Sequence, residues 1–264
     1  MKKGIFIVLI LILLCTGAYG GYRYRHDVYL PKKRTAEALE KQEELFDAVR
    51  PDIQKASEAA AANAHDSSSE AKEPASEETV SPLTECREVC DDTVGWLYVP
   101  DTGLDYPIVQ GSDNSFYLNR GLDREWDPFG LPFLDYRCAG DFSGFNSVIY
   151  AHNFENMAMF APVGLFREPS YMEKHPTGLL ITDSGAEEIE FFAYITAPAD
   201  SPVYDTVHIT DKEKLDYAEL LLHTAVHHTD ISAEELSAKR LIMLSTCTFE
   251  YDEARGILAG FIRE

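Results

Sequence analysis

The sequence predicts a mainly β body, a barrel or a sandwich, preceded by an apolar N-terminal run and a helical stalk. Three observations carry this expectation. From Asp92 onward, seven short segments rich in β-branched and aromatic residues are bounded by Gly, Pro, Asp or Asn. From Thr35 to about Ala62 the composition shifts to Ala, Glu, Lys, Gln and Leu, all good helix formers. Residues 4–20 are almost uniformly apolar. Many short strands with few helices are the pattern of a barrel or sandwich.

The apolar run is near the lower limit for crossing a bilayer, which takes about 20 helical residues. Lys2 and Lys3 precede it, and Tyr19, Tyr22 and Tyr24 follow at the position of an interfacial belt. An uncleaved anchor over residues 1–26 is the preferred reading. A cleaved signal peptide ending at Ala18-Tyr19-Gly20 is the alternative. A lipoprotein is disfavoured, because Leu14 precedes Cys15 where a small residue is needed. In the first two readings the bulk of the chain lies outside the cytoplasm.

Residues 27–83 form the stalk and linker. Pro51 starts a second helical piece at a position helices accept. Leu39, Leu45, Phe46, Val49 and Ile53 make a narrow apolar stripe that can lean on the body. Asn63 to Ser81 is polar and acidic and reads as a flexible spacer. Residues 84–264 form the body. Its expected strands are 95–99, 105–109, 147–150, 178–182, 188–195, 240–244 and 256–262. One helix is expected from Lys212 to about His228, capped by Asp211, with Leu215, Ala218, Leu221, Leu222 and Ala225 on one face. A second short helix is expected over 232–238.

Composition excludes several function classes. The 264 residues are 45% hydrophobic, with 14 Tyr and 14 Phe, enough for a packed core and too apolar for a wholly disordered chain. A net charge of −22 repels phosphate backbones, so nucleic-acid binding through a basic face is excluded. Five cysteines are too few for a disulfide scaffold. Cys86 and Cys90 have neither CxxC spacing nor histidine partners, and His223 and His227, four apart beside His228, lack the glutamate of HExxH, so no metal site is expected. There is no phosphate loop and no GxSxG.

Three residues at strand ends can carry chemistry. Cys247 ends an apolar strand; on its own it reads equally as a packing residue or a nucleophile. Arg255 begins the next strand of the expected hairpin, beside the thiol. A guanidinium stays protonated, so it supplies charge and forked hydrogen bonds, which suits a developing oxyanion. His152 follows another strand. Together they would form a thiol site in which the thiolate attacks and the imidazolium protonates the leaving amine. Cys138, with no second motif around it, reads as a small buried or rim residue.

The strings DYPIVQGSDNSFYLN, FLDYR, YAHNF and LSTCTFEYDEAR, in that order, resemble a class B sortase, a membrane-anchored cysteine transpeptidase of Gram-positive bacteria. The resemblance runs from about Asp91 to Glu264. It implies an eight-stranded sortase-type β-barrel with N-terminal helices and an extra helix before the strand of the catalytic cysteine. Residue by residue it makes His152 the family histidine, Cys247 the nucleophile and Arg255 the essential arginine. Tyr150, Asn119 and Ser245, and more weakly Tyr204, fall near the bound signal. Two departures are Ala151, where glycine is common, and an acidic linker longer than the family needs.

The resemblance further implies cleavage of a C-terminal sorting signal after threonine, through a thioester on Cys247. Transfer follows to an amine of a peptidoglycan precursor, at the outer face of the membrane, with no cofactor. The partners implied are surface proteins bearing the signal, the precursor amine and the membrane, and no nucleic acid. Three rivals stay open: a pilin polymerase using a lysine amine, an exported cysteine peptidase or amidase that only hydrolyses, and a catalytically idle surface protein.

Overall fold

The computed structural model describes residues 16–17, 19–65, 81–154, 158–247 and 254–263. Most of the apolar run 4–20 and of the expected linker 63–81 therefore lies outside the described residues. The chain divides into two compact units, residues 1–44 and 45–264. The described part of the first is helical, with a π-helical stretch Arg25–Tyr29 leading into α1 (Leu30–Val49). Among the described residues no helix is long and apolar enough to cross a membrane.

In the second unit, Pro51 separates α1 from α2 (Ile53–His65), as its missing N–H and fixed φ predict. Of the expected apolar stripe, Phe46 and Val49 are buried. Phe46 meets Trp96 and Tyr106 edge-on at 6.3 and 5.9 Å, and Arg50 pairs with Asp105 at 3.0 Å. Such a buried phenylalanine contributes roughly 1.5–3 kcal/mol. The short α3 (Thr84–Val89) carries Cys86 into the interior, where its thiol meets Thr93 at 3.5 Å; Cys90 meets Tyr117 at the same distance.

Among the described residues nine strands follow: β1 (Thr93–Val99), β2 (Leu104–Val109), β3 (Phe133–Leu134), β4 (Asn146–Tyr150), β5 (Thr177–Thr182), β6 (Gly185–Pro198), β7 (Ala225–His228), β8 (Arg240–Cys247) and β9 (Ala254–Ile262). They pair in the order β5-β1-β2-β3-β4-β8-β9-β6, and β5 pairs again with β6, which closes an eight-stranded barrel. β7 is added outside the ring, on β6. The β2–β3 and β4–β8 pairs are parallel and the others antiparallel. All seven expected strands are present, and β3 and β7 are additional.

The expected helix to His228 requires correction. The helix, α5 (Asp211–Thr224), which comes after the short α4 (Pro169–Lys174), is capped by Thr210 and not by Asp211: the Thr210 hydroxyl accepts from the Glu213 N–H, and the Glu213 carboxylate accepts from the Thr210 N–H at 2.8 Å. At Ala225 the backbone turns extended (φ −61°, ψ 139°), and residues 225–228 pair with β6 instead of continuing the helix. His223 and His227 therefore do not share a helix face. His227 lies on β7, with Nε2 2.8 Å from the Phe166 carbonyl. Ala225, now on β7, still packs against the same cluster as the helix face. That face centres on Tyr217, Ala218 and Leu221, which pack in one cluster with Val148, Met243, Ile257 and Ala259 of the barrel wall. The expected 232–238 helix is α6 (Ala233–Ser237), capped by Ser232.

Candidate active site

The site lies where β4 and β8 end side by side. Their parallel register sets Tyr150 opposite Ser245. The ladder continues past β4, because the Ala151 N–H donates to the Ser245 carbonyl at 3.1 Å and the Thr246 hydroxyl donates to the Ala151 carbonyl at 2.9 Å. His152 follows directly. Parallel strands leave a sheet from the same rim, so His152 and Cys247 are delivered to one end of the barrel although far apart in sequence. β9 returns antiparallel from that rim, and its register sets Arg255 opposite Cys247. The Cys247 side chain lies outside the described part of the structure.

A cavity of about 410 Å³ opens at this rim. It brings together five of the residues expected from sequence: His152, Arg255, Tyr150, Ser245 and Tyr204. Asn119 is not among its lining residues. It sits exposed at the end of the 3₁₀ turn Phe116–Asn119, where its carbonyl accepts from the Asp127 N–H. Asn114 and Leu118, five and one residues earlier, line the cavity in its place. Phe133 and Ala199 also line it.

The imidazole of His152 is half-buried, with Nε2 2.7 Å from the Leu118 carbonyl and its ring 5.5 Å from Phe154. Arg255 is half-buried and donates through Nη1 to the Ala254 carbonyl at 3.2 Å. It makes no ion pair among the described residues, so its fork is not committed to any described carboxylate. Tyr204 and Ser245 share a hydroxyl–hydroxyl bond of 2.9 Å, and the Tyr150 and Tyr204 rings lie 5.8 Å apart. Below them sits Asp135, fully buried, gripped by the two forked nitrogens of Arg137 and touched by the Tyr150 hydroxyl. Burial and the Asp135 charge push the Tyr150 phenol well above its usual range, so it stays protonated.

Other thiols are poor nucleophile candidates. Burial pushes Cys138 up to about 11 and Cys86 to about 11, so both are protonated at neutral pH. Cys138 keeps its sulfur 3.5 Å from the Asn146 carbonyl. No group of three or more potential metal ligands occurs among the described residues.

Asn114, Leu118, Asp135 and Arg137 were not singled out by sequence reasoning. FLDYR marked the Asp135–Arg137 pair as part of a motif without a role. Nothing local to Asn114 signals a contact 21 positions away.

No family model matches the chain. Among curated proteins it is 31% identical over 181 residues to sortase B of Listeria monocytogenes, covering 67% of this chain and 72% of that one. It is equally 31% identical over 181 residues to sortase B of Staphylococcus aureus, with the same coverage. Among solved structures, a Staphylococcus aureus sortase B–substrate complex is similar with a TM-score of 0.65 at 25% identity, over 71% of this chain and 87% of that one. Agreement at this level extends over most of each relative. The chain belongs to the sortase B family of transpeptidases.

Proposed function

We propose that the protein is a cysteine transpeptidase that cleaves a C-terminal sorting signal after threonine and transfers the protein, through its new threonine carbonyl end, to an amine of a peptidoglycan precursor. The observation that carries this reading is the rim cavity, which gathers His152 and Arg255 beside the end of the strand bearing Cys247. In the first step the Cys247 thiolate adds to the threonine carbonyl, and Arg255 stabilises the oxyanion. The C–N bond then breaks, the leaving amine takes a proton from His152, and a thioester remains. In the second step the acceptor amine adds to the thioester, gives up a proton to His152, and the thiolate departs. Tyr150, Tyr204, Ser245 and Asn114 border the peptide; Asn119, exposed and outside the cavity, keeps at most a place at its margin.

The direct test incubates the purified protein with a library of threonine-containing signal peptides, with and without an added amine. Ligated product is expected. Hydrolysis without any ligation overturns transfer and favours an exported peptidase.

The apolar run 4–20 is proposed to hold the protein at the outer face of the membrane, with Lys2 and Lys3 inside. Membrane-bound protein should then begin at Met1. An N-terminus at Gly21 would make it a secreted enzyme.

A further inference from the structure

Among the described residues Asp135 is the most heavily used carboxylate at the rim, and no step of the proposed reaction needs it. Its Oδ1 accepts from the Arg137 backbone N–H and from Arg137 Nε, each at 2.9 Å. Its Oδ2 accepts from Arg137 Nη2 at 2.8 Å, from Asn114 Nδ2 at 2.9 Å and from the Tyr150 hydroxyl at 3.1 Å. A carboxylate offers about four lone-pair sites, so these donors saturate it and leave nothing for a substrate. Arg137 alone, two residues away, satisfies the buried charge. The remaining two donors come from residues 15 and 21 positions distant, and both line the cavity.

The bonds orient what they hold. The amide of Asn114 is pinned at both ends, because its Oδ1 accepts from the Tyr136 N–H at 3.1 Å. The single hydroxyl proton of Tyr150 is committed to Asp135, so toward the cavity its oxygen presents lone pairs. Arg137 Nη2 also donates to the Tyr204 carbonyl at 3.2 Å, which ties the segment carrying Tyr204 to the same anchor.

We infer that Asp135 is a positioning residue for substrate specificity: through Tyr150 and Asn114 it sets the polar wall of the groove, and it makes the Tyr150 oxygen an acceptor for a donor group of the peptide. This rests on the reading of the cavity as the peptide groove. The consequence is a residue that governs substrate affinity without touching substrate or thiol. Burial opposes the charge on Asp135, but the Arg137 and Asn114 bonds outweigh it and hold the carboxyl below its usual range, so the anchor stays ionised throughout the working pH range.

The test is a double-variant cycle on the full-length protein with a cleavable signal peptide, comparing Asp135→Asn, Tyr150→Phe and the two combined. Asp135→Asn is expected to raise KM about tenfold with kcat within about twofold, and the combined variant should be no worse than the weaker single one. The rate at which iodoacetamide alkylates Cys247 should be unchanged. If Asp135→Asn does not fold, Asp135→Ala with Arg137→Met removes both charges together and should show the same KM signature. Additive effects, a fall in kcat at constant KM, or no kinetic effect overturns the inference while leaving the groove intact, provided Tyr150→Phe itself raises KM. If Tyr150→Phe leaves KM unchanged, the groove reading fails and the inference falls with it.

Discussion

The imidazole Nε2 of His152 lies 2.7 Å from the main-chain carbonyl of Leu118. A carbonyl can only accept, so Nε2 is the nitrogen that donates here, and under the proposed mechanism Nδ1 is the one left to exchange a proton with the reacting groups. The bond fixes the tautomer and the ring plane with a backbone atom, where a carboxylate would add a negative charge. A neutral acceptor orients the ring without contributing an anion to a rim that already holds Arg255.

Removing the ring separates its roles. His152→Ala is expected to keep a Cys247 that reacts with alkylating reagents while losing cleavage and transfer, because the leaving amine is no longer protonated. Cys247→Ala should abolish alkylation, cleavage and transfer together. Mass spectrometry of the alkylated protein and peptide turnover read the two outcomes side by side.

Arg255→Lys keeps the positive charge opposite Cys247 and loses the fork. The expected loss in kcat/KM is on the order of 10²-fold, as for deleting one oxyanion donor. Steady-state kinetics on the signal peptide decide it, and near-normal turnover would assign the arginine a purely Coulombic role.

Gly130 supports the same histidine from a distance. Its φ is +59°, and a Cβ there would stand 2.5 Å from the Leu118 and Tyr117 carbonyl oxygens. Gly130→Ala should therefore displace the acceptor of His152, lowering kcat by about tenfold as well as the melting temperature. Gly103→Ala is the control: its φ is +81° with nothing within 4 Å of a new Cβ. It should cost about 1 kcal/mol of stability without changing kcat. Equal kcat values in the two variants would sever Gly130 from the site.

Asp135 also leaves a mark on acid stability. Its folded carboxyl titrates below the unfolded value near 3.9, so the stabilisation is fully present above about pH 4 and is lost as pH falls through the lower folded value. Urea melts should show the wild type losing its advantage over Asp135→Asn as pH drops from 5 toward 2. A gap independent of pH would mean that shape, and not charge, is what the aspartate supplies.

Strands with strong alternation or long apolar runs, such as β6 and β8, were legible from sequence, because burial on a pleated surface selects β-branched and aromatic residues. β3 was not: two residues in a long irregular stretch carry no period. β7 was hidden by the helix before it, since Ala225-Val-His-His continues an apolar spacing and only the backbone turn at Ala225 ends the helix. That His152, Arg255 and the end of the Cys247 strand meet at one rim was legible because their motifs are local and stand at strand ends. The groove was less so: Asn119 and Asn114 share one short segment, and only the packing of Asn114 against Asp135 decides which of them faces the cavity.

The parallel β4–β8 pair has a consequence for when activity can arise. Thr246 and Ala151 join segments 95 positions apart, and such distant pairings form late because the entropy of closing a long loop precedes any reward. The rim exists only once that pair is made and β9 has joined both β8 and β6. A partly folded chain thus carries an unassisted thiol, without its histidine or arginine. Under the proposed mechanism turnover therefore requires ring closure, so a chain whose barrel is still open would not cleave its neighbours.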